Sequence, residues 1–392
     1  PGVELLHQFE QNKWNIFTLP KRVLAHREVQ PAEGKPSQVQ AVYSELPEVQ
    51  IVDMRRELTA GNRSAISQAL HAAIGASLER QEQSILFLNR RGSASYVFCR
   101  ECGFVLRCPR CNTQLTFHSQ GAALVCHTCN YTRQMVQKCP QCGSTNIRQF
   151  GMGTESLEKL VVEQFPSARV LRWDADTTRF KGAHDIILDH FTQHRADILI
   201  GTQMLAKGLD LPLVTLVGVI LADISLNMPD FRAAERTYQL LTQVAGRAGR
   251  SERGGKVILQ TFQPDHYAIQ AAAAYDTTAF YAKELAYRQT LGYPPFSRLI
   301  KLEFRHTDQK VVMQAAESAA AQLSSRINEL KVRNTSLIGP VPCFYERRSG
   351  YYRWQVLVRG PNPKIIFKDA PLQMPGIPGL QVDLVIDPVN LL

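Results

Sequence analysis

Asp197-Ile198-Leu199-Ile200-Gly201-Thr202 and, past a polar turn, Val214-Thr215-Leu216-Val217-Gly218-Val219-Ile220-Leu221 are the runs whose reading decides the fold. Neither alternates polar with apolar residues, so Asp197–Ile200 and Val214–Leu221 read as strands buried on both faces, the pattern of a parallel sheet covered by helices. Working outward, Ser84-Ile85-Leu86-Phe87-Leu88 has the same character, and apolar residues recur at helical spacing from Ala65 to Leu78. Further along, Leu157–Phe165 and about 181–193 read as helices and Ala168–Arg172 as a strand. Strands alternating with helices predict an α/β class with one parallel sheet. The cysteine-rich stretch between Leu88 and Leu157 interrupts this pattern and is therefore an insertion.

The division that follows gives one lobe at 59–97 and 148–266, an insertion at 98–147, and a separate α+β C-terminal domain at 267–392, which opens on an Ala-rich helical segment at 269–290. Residues 1–58 read as the tail of a preceding domain and a linker. Apolar runs such as Trp14-Asn15-Ile16-Phe17 lie there among Pro20, Pro31, Pro36 and Pro47, a spacing that suits a strand and connectors.

A chain of 392 residues has room for two or three domains, and 44% hydrophobic with 20% charged residues is the composition of a folded chain. The formal charge of +10 points to a polyanionic partner, because clustered Lys and Arg release counterions when they meet phosphates. No apolar run reaches the roughly 18–20 residues that span a bilayer, so a helical membrane anchor is not expected, and the reading is cytoplasmic.

Eight of the nine cysteines form four C-x-x-C pairs: Cys99/Cys102, Cys108/Cys111, Cys126/Cys129 and Cys139/Cys142. Both sulfurs of such a turn face one metal, so four pairs predict two tetrahedral thiolate sites and two Zn²⁺ ions. A disulfide framework and an iron–sulfur cluster are the weaker alternatives. Spacing leaves open whether the pairs combine in nested or sequential fashion. His118 and His127, inside the cluster, are expected at the surface or facing DNA, and Cys343 reads as a small buried apolar residue.

Three further segments carry chemistry. Gly201-Thr202-Gln203-Met204-Leu205-Ala206-Lys207-Gly208-Leu209-Asp210 leaves a buried strand at its carboxyl end, where ligands of parallel sheets sit. Gln243-Val244-Ala245-Gly246-Arg247-Ala248-Gly249-Arg250 sets two arginines on one expected helical face among small residues, and planar guanidinium forks of this kind meet phosphate bidentately. Arg347-Arg348-Ser349-Gly350-Tyr351-Tyr352-Arg353-Trp354 interleaves basic and aromatic residues, a composition suited to phosphate contacts with base stacking or to a β-hairpin.

The first two of these segments resemble motifs V and VI of superfamily 2 helicases, and Phe87-Leu88-Asn89-Arg90-Arg91-Gly92 resembles motif IV. With four C-x-x-C pairs inserted after that element, the chain is similar to the primosomal family of DNA helicases. Gly151-Met152-Gly153-Thr154-Glu155, Asp174-Ala175-Asp176-Thr177-Thr178, Tyr293-Pro294-Pro295-Phe296 and Asp387-Pro388-Val389-Asn390 extend the likeness over nearly the whole chain.

The resemblance implies a RecA-like parallel-sheet helicase lobe, an inserted two-zinc ribbon and a C-terminal DNA- or partner-binding domain. It implies an ATP-dependent 3′-to-5′ DNA helicase that recognises stalled or branched forks and helps reload the replicative helicase. Its implied partners are branched fork DNA, single-stranded DNA, the single-stranded-DNA-binding protein, primosome loading proteins and the replicative helicase. By the family pattern, Cys99, Cys102, Cys139 and Cys142 share one zinc, and Cys108, Cys111, Cys126 and Cys129 the other. Arg247, Arg250 and Gln243 face the γ-phosphate, Asp210 and Gly208 the nucleotide, and Arg90, Thr202, Gln203, Lys207 and Arg353 DNA. Many superfamily members have Arg where Lys207 stands. No phosphate-binding G-x-x-x-x-G-K-[ST] loop and no Asp-Glu-x-His motif occurs, and Pro1 resembles the proline that closes motif III. The expectation is that another lobe supplies most of the ATP–Mg²⁺ site, and that this segment alone does not turn over. The competing reading is a non-enzymatic, zinc-dependent scaffold that binds DNA and recruits partners.

Overall fold

Alternate residues of each central strand point into opposite apolar layers, and this builds the sheet from both sides. Ile85 and Phe87 join one buried cluster while Leu86 and Leu88 join the other, and Val217/Val219 and Leu216/Ile220 divide in the same way. The computed structural model describes residues 2–17, 22–23, 43–44, 46–88, 97–111, 113–118, 123–149, 152–178, 180, 182–202, 211, 213–248, 254–368, 372–373 and 376–392.

The chain runs α1 (Val3–Gln11), β1 (Arg22–Val23), β2 (Tyr43–Ser44), β3 (Glu48–Asp53), α2 (Met54–Thr59), α3 (Gln68–Glu79) and β4 (Gln83–Leu88). The cysteine-rich insertion holds β5 (Val97–Cys99), β6 (Thr116–His118), β7 (Ala123–Val125), β8 (Thr132–Gln134) and β9 (Ile147–Gln149). The lobe resumes with α4 (Thr154–Gln164), β10 (Val170–Trp173), α5 (Ala183–Thr192), β11 (Ile198–Gly201), β12 (Val214–Ile220), α6 (Asp223–Leu226), α7 (Ala233–Ala245) and β13 (Lys256–Thr261). It closes with α8 (Tyr267–Ala273) and α9 (Thr277–Leu291), and the remainder is β14 (Arg298–His306), α10 (Gln309–Glu329), β15 (Ser336–Arg348), β16 (Tyr351–Gly360) and β17 (Gln381–Ile386).

Six strands form the parallel sheet in the order β10-β11-β4-β12-β13-β3. Leu70 and Ile74 of α3 and Leu157 and Val161 of α4 cover one face. Ile187 and Phe191 of α5 and Tyr238, Leu241 and Val244 of α7 cover the other. Phe87 and Leu70 are fully buried, and each such side chain contributes roughly 1.5–3 kcal/mol over its exposed state. The predicted α/β class therefore holds, and the C-terminal strands form a separate antiparallel sheet, β15-β16-β14-β17, with its own core under α10.

Two boundaries move. β3, placed with the N-terminal tail by its sequence, pairs in register with β13 from Glu48↔Lys256 to Asp53↔Thr261 and completes the sheet. Helix α1 replaces the expected connectors at the start of the chain and sends Val3 into the lobe core. The Ala-rich segment is two helices, divided where the Asp276 carboxylate caps α9 by accepting from the Ala279 N–H at 2.8 Å. Ile269, Ala272, Phe280 and Tyr281 pack into the lobe core, so the lobe extends past 266. Among the described residues no helix is long and apolar enough to cross a membrane.

Candidate metal centres and arginine turn

Three of the cysteine knuckles are tight turns that leave a left-handed residue behind the second Cys. In the first, the Gly103 N–H donates to the Cys99 carbonyl (2.8 Å) and the Cys99 N–H to the Phe104 carbonyl (2.8 Å). Gly143 repeats this against Cys139, and Asn130 against Cys126, both at 2.9 Å. Their φ values are 73° for Gly103, 72° for Gly143 and 62° for Asn130. That region costs glycine little, and asparagine tolerates it among L-residues. A glycine directly after the second Cys is readable from sequence as a knuckle residue; Asn130, in the same place of the third knuckle, is not. Asn112 of the second knuckle lies outside the described residues.

The four knuckles gather into two groups, Cys99/Cys102/Cys139/Cys142 and Cys108/Cys111/Cys126/Cys129, with all ligand atoms of a group within 4.8 Å of one another. In the first, Cys99 and Cys142 sulfurs lie 3.5 Å apart and those of Cys102 and Cys139 3.7 Å. In the second, Cys108–Cys129 is 3.5 Å and Cys111–Cys126 3.4 Å. A tetrahedron of sulfurs at about 2.3 Å from zinc has edges of about 3.8 Å, so the donor set fits the metal. The described cysteines are all free thiols, which removes the disulfide framework. The Thr113 hydroxyl lies 3.0 Å from the Cys111 sulfur and 3.2 Å from that of Cys126, placed to donate to thiolate, and the Arg110 N–H donates to the Cys108 sulfur at 3.4 Å. Two four-cysteine groups of this kind support two zinc ions, one at each end of the ribbon.

The ribbon is docked at both of those ends. A Cβ on Gly103 would stand 2.6 Å from Cγ of Arg55 and 2.8 Å from Cδ1 of Phe262, so the first knuckle rests directly on the lobe. At the other end Asn130 and Gly339 exchange hydrogen bonds: the Gly339 N–H donates to Asn130 Oδ1 at 2.9 Å, and Asn130 Nδ2 to the Gly339 carbonyl at 3.4 Å. His118 and His127 are corrected here. Both are buried, their Nε2 atoms 2.9 Å apart, and His118 Nδ1 meets the Glu346 carboxylate of the C-terminal sheet. Burial, with His118 alongside, pushes the His127 imidazole down to about 3, so that ring is neutral. The partner, Glu346, is remote in sequence, which is why local composition did not reveal it.

Helix α7 carries the arginine segment. Gln243 is exposed on its last turn, while Val244, Ala245 and Ala248 are buried in the lobe core. The small residues thus serve close packing on the sheet. Because the helix ends at Ala245, Arg247 sits in the following turn and not on the expected helical face; its N–H donates to the Val244 carbonyl at 2.9 Å, and its side chain is buried. Thr202 is half-buried just past β11. Arg90, Gln203, Lys207, Gly208, Asp210 and Arg250 lie outside the described residues.

Arg353 is turned away from the expected DNA contact. It is buried within β16, donating to both oxygens of Glu303 at 2.8 and 2.9 Å, and Lys301 adds an ion pair at 3.0 Å. Although burial raises the carboxyl, Arg353 and Lys301 hold Glu303 down to about 2. The segment is the β15–β16 hairpin, with Arg347 lying over the Tyr352 ring at 5.1 Å and Arg348 exposed. Cys343 is buried as expected.

A charged node was missed altogether. Arg288 of α9, with no exposed surface, donates to Glu284 and to Glu235 at 2.7 Å each, and Glu284 also accepts from the Tyr267 hydroxyl at 2.5 Å. Glu235 in turn accepts from the Val3 N–H at 2.9 Å, which binds α1, α7 and α9 together. The Glu284/Arg288 spacing of four was the available signal.

Comparison with known proteins adds three family matches. Residues 289–368 match the primosomal protein N C-terminal domain, 108–134 the Cys-rich region domain of PriA DNA helicase, and 144–252 the helicase conserved C-terminal domain. The replication restart protein PriA of Synechocystis sp. is 43% identical over 351 residues, 88% of this chain and 42% of that protein. Its namesake in Bacillus subtilis is 45% identical over 314 residues, 80% of this chain and 38% of that protein, and that of Haemophilus influenzae 38% identical over 314 residues, 80% and 42%. The chain thus spans about two fifths of the length of these relatives.

Proposed function

The chain belongs to the PriA family of replication restart proteins, and on that premise we propose that it forms the second motor lobe, zinc ribbon and C-terminal domain of an ATP-dependent 3′-to-5′ DNA helicase acting at stalled or branched replication forks. The observation that carries this reading is the turn after α7. It lies inside the segment matching the helicase C-terminal domain, and burial of Val244, Ala245 and Ala248 in the sheet core fixes the backbone that carries the buried Arg247. A guanidinium held on so rigid a base meets a developing phosphate charge without reorganisation.

In this reading Arg247, Arg250 and Gln243 face the γ-phosphate, Asp210 and Gly208 the nucleotide, and Thr202, Gln203, Lys207 and Arg90 the DNA backbone. ATP and its Mg²⁺ are held mainly by residues of another lobe. The lobe proper runs from β3 to α9, interrupted by the ribbon and its two zinc ions. The C-terminal domain, without Arg353, offers surface to the single-stranded-DNA-binding protein, to loading proteins and to the replicative helicase. Such a protein works in the bacterial cytoplasm, where the chromosome is.

The test is Arg247→Ala and, separately, Arg250→Ala in the full-length protein. Each is expected to lower DNA-stimulated ATP hydrolysis by about a thousandfold, the scale of a lost arginine finger, while fork binding changes little. Unchanged turnover in both variants overturns the assignment of these arginines, and absence of DNA-stimulated turnover in the unaltered full-length protein overturns the motor assignment and leaves a zinc-dependent DNA-binding scaffold.

A further inference from the structure

A cleft of about 490 Å³ opens where the second zinc site, the turn after α6 and helix α9 come together. Three of its lining side chains carry buried polar atoms that have no hydrogen-bond partner among the described residues: Nδ1 of His127, Nδ2 of Asn227, and both amide atoms of Gln114. His127 is 6% exposed and Asn227 9%. Proteins pair nearly all such atoms, because an unmade hydrogen bond costs the full desolvation of the group. Three in one cleft mark a place where a ligand supplies the partners.

The neighbours fix what Asn227 offers. Asn227 Oδ1 accepts from Gln263 Nε2 at 3.0 Å, which leaves the Nδ2 N–H groups as donors. His127 adds an unpaired ring nitrogen, Nδ1, while its Nε2 faces His118 Nε2 at 2.9 Å. Gln114 offers a donor and an acceptor. Donors and an acceptor within one small cleft suit the edge of a nucleobase. The ring of Tyr287 lines the same cleft and supplies a stacking face beside Tyr267, which stacks on His266, and the exposed Arg107, hydrogen-bonded to Gln263, and Lys283 supply charge for a phosphate. Of the two carboxylates on the lining, Asp230 is taken by Arg236 at 2.8 Å and Asp265 lies 3.6 Å from Arg55, so their repulsion of a phosphate is reduced.

We propose that this cleft receives one unpaired base of single-stranded DNA, held at its edge by His127, Asn227 and Gln114 and stacked on tyrosine. The proposal rests on the DNA-motor reading above and adds a base-reading site on the ribbon side of the lobe, distinct from the backbone contacts of the motor segments.

Fluorescence anisotropy of the zinc-loaded full chain tests it, comparing a short oligothymidylate with an abasic strand of the same length at one salt concentration. The base-bearing strand is expected to bind about tenfold tighter, the scale of one stacked base. The double variant Asn227→Leu/Tyr287→Ala is expected to lose that preference and keep its affinity for the abasic strand. Equal affinity of the unaltered chain for both strands, or a preference that survives in the variant, overturns the proposal. Should the variant lose zinc or fold, photocrosslinking the unaltered chain to an oligonucleotide bearing 5-iododeoxyuridine decides: adducts on Tyr267 or Tyr287 support the cleft, and adducts confined elsewhere overturn it. Failure of the motor reading looks different, since it removes ATP turnover in the full-length protein whatever the base preference.

Discussion

The parallel lobe and the ribbon inserted into it are held together by opposite means. In the lobe, strands β4, β11, β12 and β13 bury Leu, Ile, Val and Phe on both faces under helices. The ribbon's strands are three residues long, and the buried cluster that joins them is Val97, Leu106, Leu115, Leu124 and Ile147 with four of the cysteines themselves. Phe104, Phe117, Tyr131, Met135 and Val136 pack against it only partly buried. The difference teaches that the ribbon's order is set by its metal, whereas the lobe's is set by its core.

The largest expected effect separates the two. Stripping zinc with a strong chelator removes roughly 10–16 kcal/mol of binding free energy from a structural site. Hydrogen exchange should then show protection lost across 97–149 and retained in β4, β11 and β12. Loss of protection in both regions together would show that the lobe also depends on the metal.

A second, smaller effect runs the other way. Arg288→Ala leaves Glu235 and Glu284 buried without their cation, at a cost of about 3–5 kcal/mol, and the denaturant midpoint of the lobe should fall while elemental analysis still finds two zinc ions per chain. Zinc loss in that variant would break the comparison. Replacing Arg288, Glu235 and Glu284 together by apolar residues should recover most of the loss, because a satisfied buried ion cluster is weak net stabilisation.

The smallest effect concerns the C-terminal sheet, where an ion cluster is buried beside an apolar core. Glu303 is held at about 2 against an ordinary value of 4.5, so it binds fewer protons folded than unfolded. Its contribution is complete above about 4.5 and drains away as pH falls toward about 2. Thermal melting of this sheet should weaken over that window, and Glu303→Gln should flatten the slope; an unchanged slope would mean that other carboxylates govern it.

What could be seen in the sequence was what repeats locally. Both-face burial marked β4, β11 and β12 without ambiguity, and four C-x-x-C pairs announced two tetrahedral sites. What stayed hidden depended on distant partners. The edge strand β3 is only half-buried along most of its length and lies among prolines, so nothing in Glu48–Asp53 told of β13. Arg353 looked like a phosphate ligand because Glu303, which claims its guanidinium, stands fifty positions away. The motor arginines were readable as a motif. The end of α7 at Ala245, which puts Arg247 in a turn instead of on a helix, was not.

The antiparallel pair β5–β9 sets Val97 opposite Gln149. The chain therefore enters and leaves the whole ribbon at points about 5 Å apart, the spacing of facing strand residues. An insertion with such a narrow neck interrupts the chain without interrupting the order of the six strands beneath it.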